Sequence, residues 1–72
     1  MSRVIRVKVV DSNGYGLSGM KVNAYGGDAV RTDRDGEAVI DADGSKVSIY
    51  VNGRTAYEGY ASSCPNPLIV RR

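Results

Sequence analysis

Residues 47–54 read Val-Ser-Ile-Tyr-Val-Asn-Gly-Arg, and this stretch decides the fold class. Every second residue up to Val51 is aliphatic, which is the pattern of a β-strand with one buried face. The Asn52-Gly53 pair that follows accepts the positive φ angles that both central positions of a type I′ turn require. The stretch therefore predicts a β-hairpin whose second strand covers 54–60.

The same alternation recurs along the rest of the chain at intervals of about eight to twelve residues, the rhythm of a sandwich or barrel. Turns rich in Asp and Gly separate the segments at 11–14, 33–36 and 42–45, and a loop over 61–67 contains both prolines. No apolar pattern of helical period accompanies them. We therefore expect one all-β domain over 1–72, an antiparallel or mixed β-sandwich of seven strands. The expected strands cover 3–10, 20–25, 29–32, 37–41, 47–51, 54–60 and 68–71.

Composition limits the classes of function. The 72 residues carry a net charge of +2, which is too small for the basic footprint of a dedicated nucleic-acid binder. No apolar run is long enough to cross a membrane, and the N-terminal residues do not read as a secretory signal. We expect neither a nucleic-acid partner nor a membrane partner. The expected location is the cytoplasm if the chain is complete, and outside the cytoplasm if it is an excised domain.

Three turn segments follow a recurring order. The chain reads Val-Lys-Val-Val-Asp-Ser-Asn-Gly over 7–14, Leu-Ser-Gly-Met-Lys-Val over 17–22 and Thr-Asp-Arg-Asp-Gly-Glu-Ala over 32–38. This order resembles the carboxypeptidase regulatory-like family, whose members have a transthyretin-like (prealbumin-like) Greek key β-sandwich. Gly16 stands where that family has a proline. The resemblance implies an accessory domain that stabilises, spaces or presents another domain and has no chemistry of its own.

Catalytic equipment is not expected. The sequence has no histidine, so neither a Ser-His nor a Cys-His pair can be built. Cys64, the one cysteine, lies in a predicted loop with no cationic neighbour to lower its pKa, and we interpret it as inert, with crosslinking to another chain as the alternative. The alternative to a non-catalytic protein is an enzyme that uses the carboxylates of Asp33, Asp35 and Glu37. We expect no cofactor.

Acidic residues concentrate in one part of the chain. Six of the eight acids fall between 28 and 43. The Asp-x-Asp-Gly runs at 33–36 and 41–44 bring glycine too early for a helix-loop-helix calcium loop, and they fit turns in which Asp binds nearby backbone. No metal site is therefore expected. The alternative is a weakly binding calcium site shared by the two runs, which requires them to lie at the same end of the sandwich; its ligands would be Asp33, Asp35, Asp41 and Asp43.

Exposed tyrosines are the best candidate contact residues. Tyr25 and Tyr50 are expected to point outward from their strands, and Tyr15 lies in a turn. A rigid amphipathic ring can stack on a sugar or anchor a protein partner at low entropic cost. Cross-strand packing on the outer face of a sheet is the structural alternative.

Basic residues line the first and last strands. Arg3, Arg6 and Lys8 fall on the outer side of the first strand, and Arg71 and Arg72 end the last. Such charges discourage pairing of exposed sheet edges, or they attract an acidic surface.

We therefore expect a non-enzymatic structural or interaction module. Its partner would be a protein, or a second copy bound through an edge strand. The alternative function is a ligand-binding module for a glycan or weakly bound calcium.

Overall fold

The strands of the computed structural model follow the alternating segments of the sequence. The structure describes residues 2–72, and the side chains of all of these except 2, 3 and 43. All seven predicted strands are present, which confirms the all-β class. They are β1 Ser2–Val10, β2 Lys21–Ala24, β3 Val30–Arg31, β4 Glu37–Asp43, β5 Lys46–Val51, β6 Arg54–Tyr60 and β7 Leu68–Arg71, and a 3₁₀ turn at Ala61–Ser63 precedes β7.

The strands form two sheets. The three-stranded sheet has the order β4-β1-β7, and the four-stranded sheet has the order β3-β2-β5-β6. β1 pairs antiparallel with β4 and parallel with β7, whereas all pairs in the four-stranded sheet are antiparallel. The chain changes sheet after β1, β3, β4 and β6. The architecture is therefore a mixed β-sandwich.

Apolar side chains from both sheets meet in a single core. The inward stripes expected from alternation are confirmed, and Ala61 of the 3₁₀ turn joins them. Each fully buried aliphatic side chain contributes about 1.5–3 kcal/mol relative to exposure. The largest fully buried side chains are Ile5, Val7, Val9, Val22, Ile49 and Val51.

The hairpin between β5 and β6 has the predicted turn. Asn52 and Gly53 adopt φ angles of 50° and 82°, as a type I′ turn requires. Asn52 also fastens β2, because its N–H donates to the carbonyl oxygen of Lys21 at 2.7 Å and its Oδ1 accepts from the N–H of Lys21 at 3.0 Å. The same residue thus shapes the turn and ties it to the next strand.

Gly16 lies against the backbone of Asp35, with no room for a side chain. A Cβ atom built on Gly16 would lie 2.0 Å from the carbonyl oxygen of Asp35, which no side chain can tolerate. Gly36, across this contact, has a φ of 82°, and a Cβ atom built on it would lie 2.4 Å from the carbonyl oxygen of Val9. Any side chain at position 16 would therefore collide with the backbone of Asp35, so this position requires glycine.

Thr32 is the one buried polar side chain among those described. It is only 5% exposed. Its hydroxyl donates to the carbonyl oxygen of Leu17 at 2.6 Å and accepts the N–H of Met20 at 2.9 Å. The side chain thereby holds the connection between β1 and β2 against the end of β3.

The bounds of five strands differ from the prediction, although β1 and β5 differ only in beginning one residue earlier. β4 runs on to Asp43, so the interpretation of 42–45 as a turn was wrong for its first two residues. Ala42 is buried and pairs with β1, so only Gly44 and Ser45 connect β4 with β5. β2 and β3 are shorter than expected, because Met20, Tyr25, Ala29 and Thr32 lie outside the two strands.

Candidate functional site

Three tyrosines lie on the outer face of the four-stranded sheet. Tyr25 follows β2, Tyr50 belongs to β5 and Tyr60 ends β6. Tyr25 is 82% exposed and Tyr60 is 55% exposed, whereas Tyr50 is half-buried. We call this surface the tyrosine face; it also includes Lys21, Asn23, Lys46, Ser48, Thr55 and Glu58.

Strand register sets the spacing of the rings. Tyr50 is opposite Asn23 of β2, and the N–H of Tyr25 donates to the carbonyl oxygen of Ser48 at 2.8 Å. Tyr25 and Tyr50 are therefore diagonal neighbours on adjacent strands, about 7–8 Å apart between Cα atoms. The structure brings these two predicted contact residues together.

Lys46 and Tyr60 form a pair on the same face. They are opposite each other in the β5–β6 ladder. The Lys46 ammonium lies 5.5 Å from the centroid of the Tyr60 ring, within the range of a cation–π interaction. The ammonium is thus held beside an aromatic ring at the rim of the sheet.

A cavity of about 410 Å³ opens next to Tyr25. Its lining includes Tyr25, Ser48 and two residues of opposite charge, Asp41 and Lys46, together with the core residues Ala24, Ala42 and Val47. Residues with a carboxylate, an ammonium group, a hydroxyl and an aromatic ring therefore lie around one cavity. Such convergence of a few polar groups on a concavity is typical of ligand sites.

Tyr15 does not belong to this site. It is 71% exposed in the turn that follows β1, where Asp11 Oδ1 accepts its N–H at 3.0 Å. Tyr25 lies at the opposite end of the sandwich, beside Asp41, which pairs with Val4 near the start of β1. The predicted set of three tyrosines is therefore divided.

The two acidic turns also lie at opposite ends. The N–H of Val9 donates to the carbonyl oxygen of Gly36 in the first turn, whereas Asp41 pairs with Val4. Five strand residues separate these points, or about 17 Å. The condition for a shared calcium site is not met, and the described side chains contain no group of three metal-ligating residues. The side chain of Asp43 lies outside the described set.

Asp33 acts as an acceptor within its turn. Its Oδ1 accepts the N–H groups of Asp35 at 2.9 Å and Glu37 at 3.0 Å. The hydrogen bond from Glu37, followed by those from Asp35 and Gly36, holds the pKa of Asp33 below its ordinary value against an opposing effect of desolvation. The predicted turn role of the first Asp-x-Asp-Gly run is confirmed.

The basic residues divide between a central and an edge strand. β1 and β7 are neighbours, but β1 lies in the middle of its sheet, so Arg6 and Lys8 protect no edge. Arg71 is exposed on β7, which is an edge. The side chain of Arg3 lies outside the described set.

Cys64 is half-buried and packs against the core. Its Sγ lies 3.5 Å from the carbonyl oxygen of Pro65. This environment is that of a packing residue.

Sequence reasoning missed Tyr60 because of a bulge in β6. Arg54 pairs with Val51, which faces the core. If the two strands paired without interruption from the Asn52-Gly53 turn, Tyr60 would point to the same side of the sheet as Arg54, towards the core. Instead, Tyr50 pairs with Thr55 and Ile49 pairs with Tyr57, so Ala56 is an additional residue in β6 without a partner on β5. This bulge reverses the side of the sheet to which the later residues of β6 point. Nothing in the sequence marks the bulge.

The described residues contain no helix that could span a membrane. A scan of protein-family models found no match to this chain, and searches of curated proteins and of solved structures found none either.

Proposed function

We propose that this chain is a non-enzymatic interaction module that binds a carbohydrate through the tyrosine face. The observation that carries the proposal is Tyr25, a ring left 82% exposed at the mouth of a cavity that also presents Asp41, Lys46 and Ser48. A large ring left in water without packing is a candidate contact residue. The charges beside it supply the polar contacts that fix a ligand's orientation.

The composition of the face favours a carbohydrate over an apolar protein surface. None of its described side chains is aliphatic: tyrosines alternate with amide, hydroxyl, carboxylate and ammonium groups. The C–H face of a sugar ring stacks on an aromatic ring, and its hydroxyls both donate and accept hydrogen bonds. Protein interfaces instead have an apolar centre from which charged residues are depleted.

The fold and the sequence support a module without catalysis. The four changes of sheet and the parallel pairing of β1 with β7 are consistent with a transthyretin-like Greek key, which we propose as the finer fold class. Membership of the carboxypeptidase regulatory-like family is likewise a proposal, based on the turn segments. The whole sequence lacks histidine, and the Asp33 carboxylate is engaged by its own turn.

Titration with soluble oligosaccharides tests the proposal. We expect millimolar neutral and uronic acid-containing oligosaccharides to shift the amide NMR signals of 23–27, 46–50 and 58–60. Tyr25→Ala should weaken binding by roughly thirtyfold, because loss of an aromatic contact at a hot spot costs about 2 kcal/mol.

Tyr15→Ala is the matched control, because Tyr15 is similarly exposed at the opposite end. It should bind as the unmodified chain does. The proposal is wrong if no oligosaccharide shifts those signals at millimolar concentration, or if the two variants lose binding equally.

A further inference from the structure

The three-stranded sheet has two edges of opposite charge. Its order leaves β4 and β7 each with one side that no strand in 2–72 covers. Exposed Asp41 and half-buried Glu37 lie on the outer face of β4. Exposed Arg71 lies on β7, and exposed Arg72 follows it. One edge is therefore acidic and the other basic.

The edge of β4 offers backbone groups for pairing. The N–H of Val9 donates to the carbonyl oxygen of Gly36, and in an antiparallel ladder every second residue after this point directs its N–H and C=O groups to the partner strand. The residues between them, Val39 and Asp41, therefore direct their N–H and C=O groups away from β1. The ladder with β1 is regular from Ser2 to Lys8. Val39 and Asp41 line a cavity of about 290 Å³ together with Gly27, Asp28 and Val30 of β3 and the turn before it.

Only the first residue of this edge is engaged. The N–H of Asp33 donates to the carbonyl oxygen of Glu37 at 2.9 Å, and the N–H of Glu37 donates to Asp33 Oδ1 at 3.0 Å. The turn therefore occupies the outward backbone groups of Glu37, and the part of β4 from residue 38 onward remains for pairing with another strand.

The edge of β7 is complementary in its backbone as well as its charge. β7 pairs with β1 from Leu68 to Arg71, and the N–H of Arg72 donates to the carbonyl oxygen of Val10 at 2.8 Å. In this parallel register Ile69 and Arg71 direct their backbone groups to the outer side. Ile69 is 54% exposed, so it adds apolar surface to the edge.

We propose that copies of this chain associate head to tail, with the β4 edge of one copy paired to the β7 edge of the next. The two strands would run antiparallel, since β4 is antiparallel to β1 and β7 is parallel to it. If the outward side chains of both copies lie on the same face of the joined sheet, Arg71 of one copy lies opposite or diagonal to Asp41 or Glu37 of the other. Opposite charges in these positions stabilise a sheet.

Charge disfavours the symmetric alternatives. Pairing of two β4 edges gathers the acidic residues of both copies, and pairing of two β7 edges gathers their arginines, both of which are destabilising. The head-to-tail contact joins two different surfaces, so it extends into a chain or closes into a ring and does not stop at a dimer. Arg71 then disfavours pairing of two β7 edges and favours pairing of a β7 edge with a β4 edge.

Sedimentation velocity from micromolar to millimolar concentration tests this inference. The weight-average mass should rise beyond that of a dimer. Arg71→Glu and Asp41→Lys should each raise the concentration of half-association about tenfold or more. An equimolar mixture of the two variants should associate again, because each edge then meets one of opposite charge. Lys21→Glu is the control: it changes the charge equally on the outer face of the other sheet and should have no effect.

Several outcomes would overturn the inference. A chain that stays monomeric at millimolar concentration would do so, as would a dimer that Arg71→Glu leaves intact or a mixture that fails to associate. If a variant does not fold, amide exchange of the unmodified chain decides the question, because pairing must slow exchange at Val39 and Asp41 as concentration rises. Arg71 is remote from the tyrosine face, so its variants separate this inference from carbohydrate binding.

Discussion

Replacing Thr32 by valine tests how much one buried hydroxyl stabilises this sandwich. Valine keeps the shape of threonine and removes the hydroxyl that bridges Leu17 and Met20. A carbonyl oxygen and an N–H group then lose their partner in a site where Thr32 is only 5% exposed. Thr32→Ser is the matched control, because it keeps the hydroxyl and removes a methyl group.

The magnitude follows from the two hydrogen bonds. Each buried backbone group left without a partner costs about 1–3 kcal/mol, so the loss of two partners in Thr32→Val should cost about 2–6 kcal/mol. Thr32→Ser should lose about 1 kcal/mol, the value of a buried methyl group with its small cavity. A chain of 72 residues has a total stability of roughly 4–11 kcal/mol. The valine variant should therefore unfold at a temperature about 10–50 °C lower.

Thermal and urea unfolding, followed by circular dichroism and tyrosine fluorescence, measure both variants. The order of stability should be unmodified chain, Thr32→Ser, then Thr32→Val. A valine variant as stable as the serine variant would refute the reasoning, since it would show that shape, and not the hydroxyl, holds the connection between β1 and β2.

Two further changes address the tight turn at one end of the sandwich. Gly16→Ala should destabilise the fold by about 3 kcal/mol or more, because its Cβ would lie 2.0 Å from the carbonyl oxygen of Asp35. Gly27→Ala is the control, since its Cβ would lie 3.4 Å from the nearest atom, and it should lose no stability in the same urea titration. Equal effects of the two substitutions would contradict the steric account. Asp33 has a pKa below the ordinary 3.8, so its carboxylate stabilises the fold above about pH 4 and the contribution is lost as pH falls through the lower folded pKa. Asp33→Asn keeps an acceptor oxygen without the charge, so its melting temperature should fall less steeply below about pH 4, and a decline parallel to that of the unmodified chain would contradict this assignment.

Local patterns predicted most of the fold because they report local physics. The Asn52-Gly53 turn and the aliphatic stripe before it specify a hairpin from neighbouring residues alone. The reach of β4 to Asp43 depends on β1 offering partners that far, which is a contact between distant parts of the chain. Single-sequence patterns carry no such information.

The candidate site was predictable only in part for the same reason. Tyr25 and Tyr50 follow from strand parity, but Tyr60 reaches their face only through the bulge at Ala56. Asp41 contributes to the cavity beside Tyr25 because the two sheets meet there. The bridge made by Thr32 likewise requires three separate segments to converge.

The parallel pairing of β1 with β7 determines how the domain would respond to a pulling force. The two strands are neighbours, and the start of β1 and the end of β7 point out of opposite ends of the sandwich. Tension applied at residues 2 and 72 would slide one strand along the other and load their hydrogen bonds all at once, instead of opening them one after another. Asn66 lengthens the resisting segment, since its side chain accepts the N–H of Arg6 at 3.0 Å and donates to the carbonyl oxygen of Val4 at 3.1 Å. A fold held in this shear geometry resists extension more strongly than its modest size would indicate.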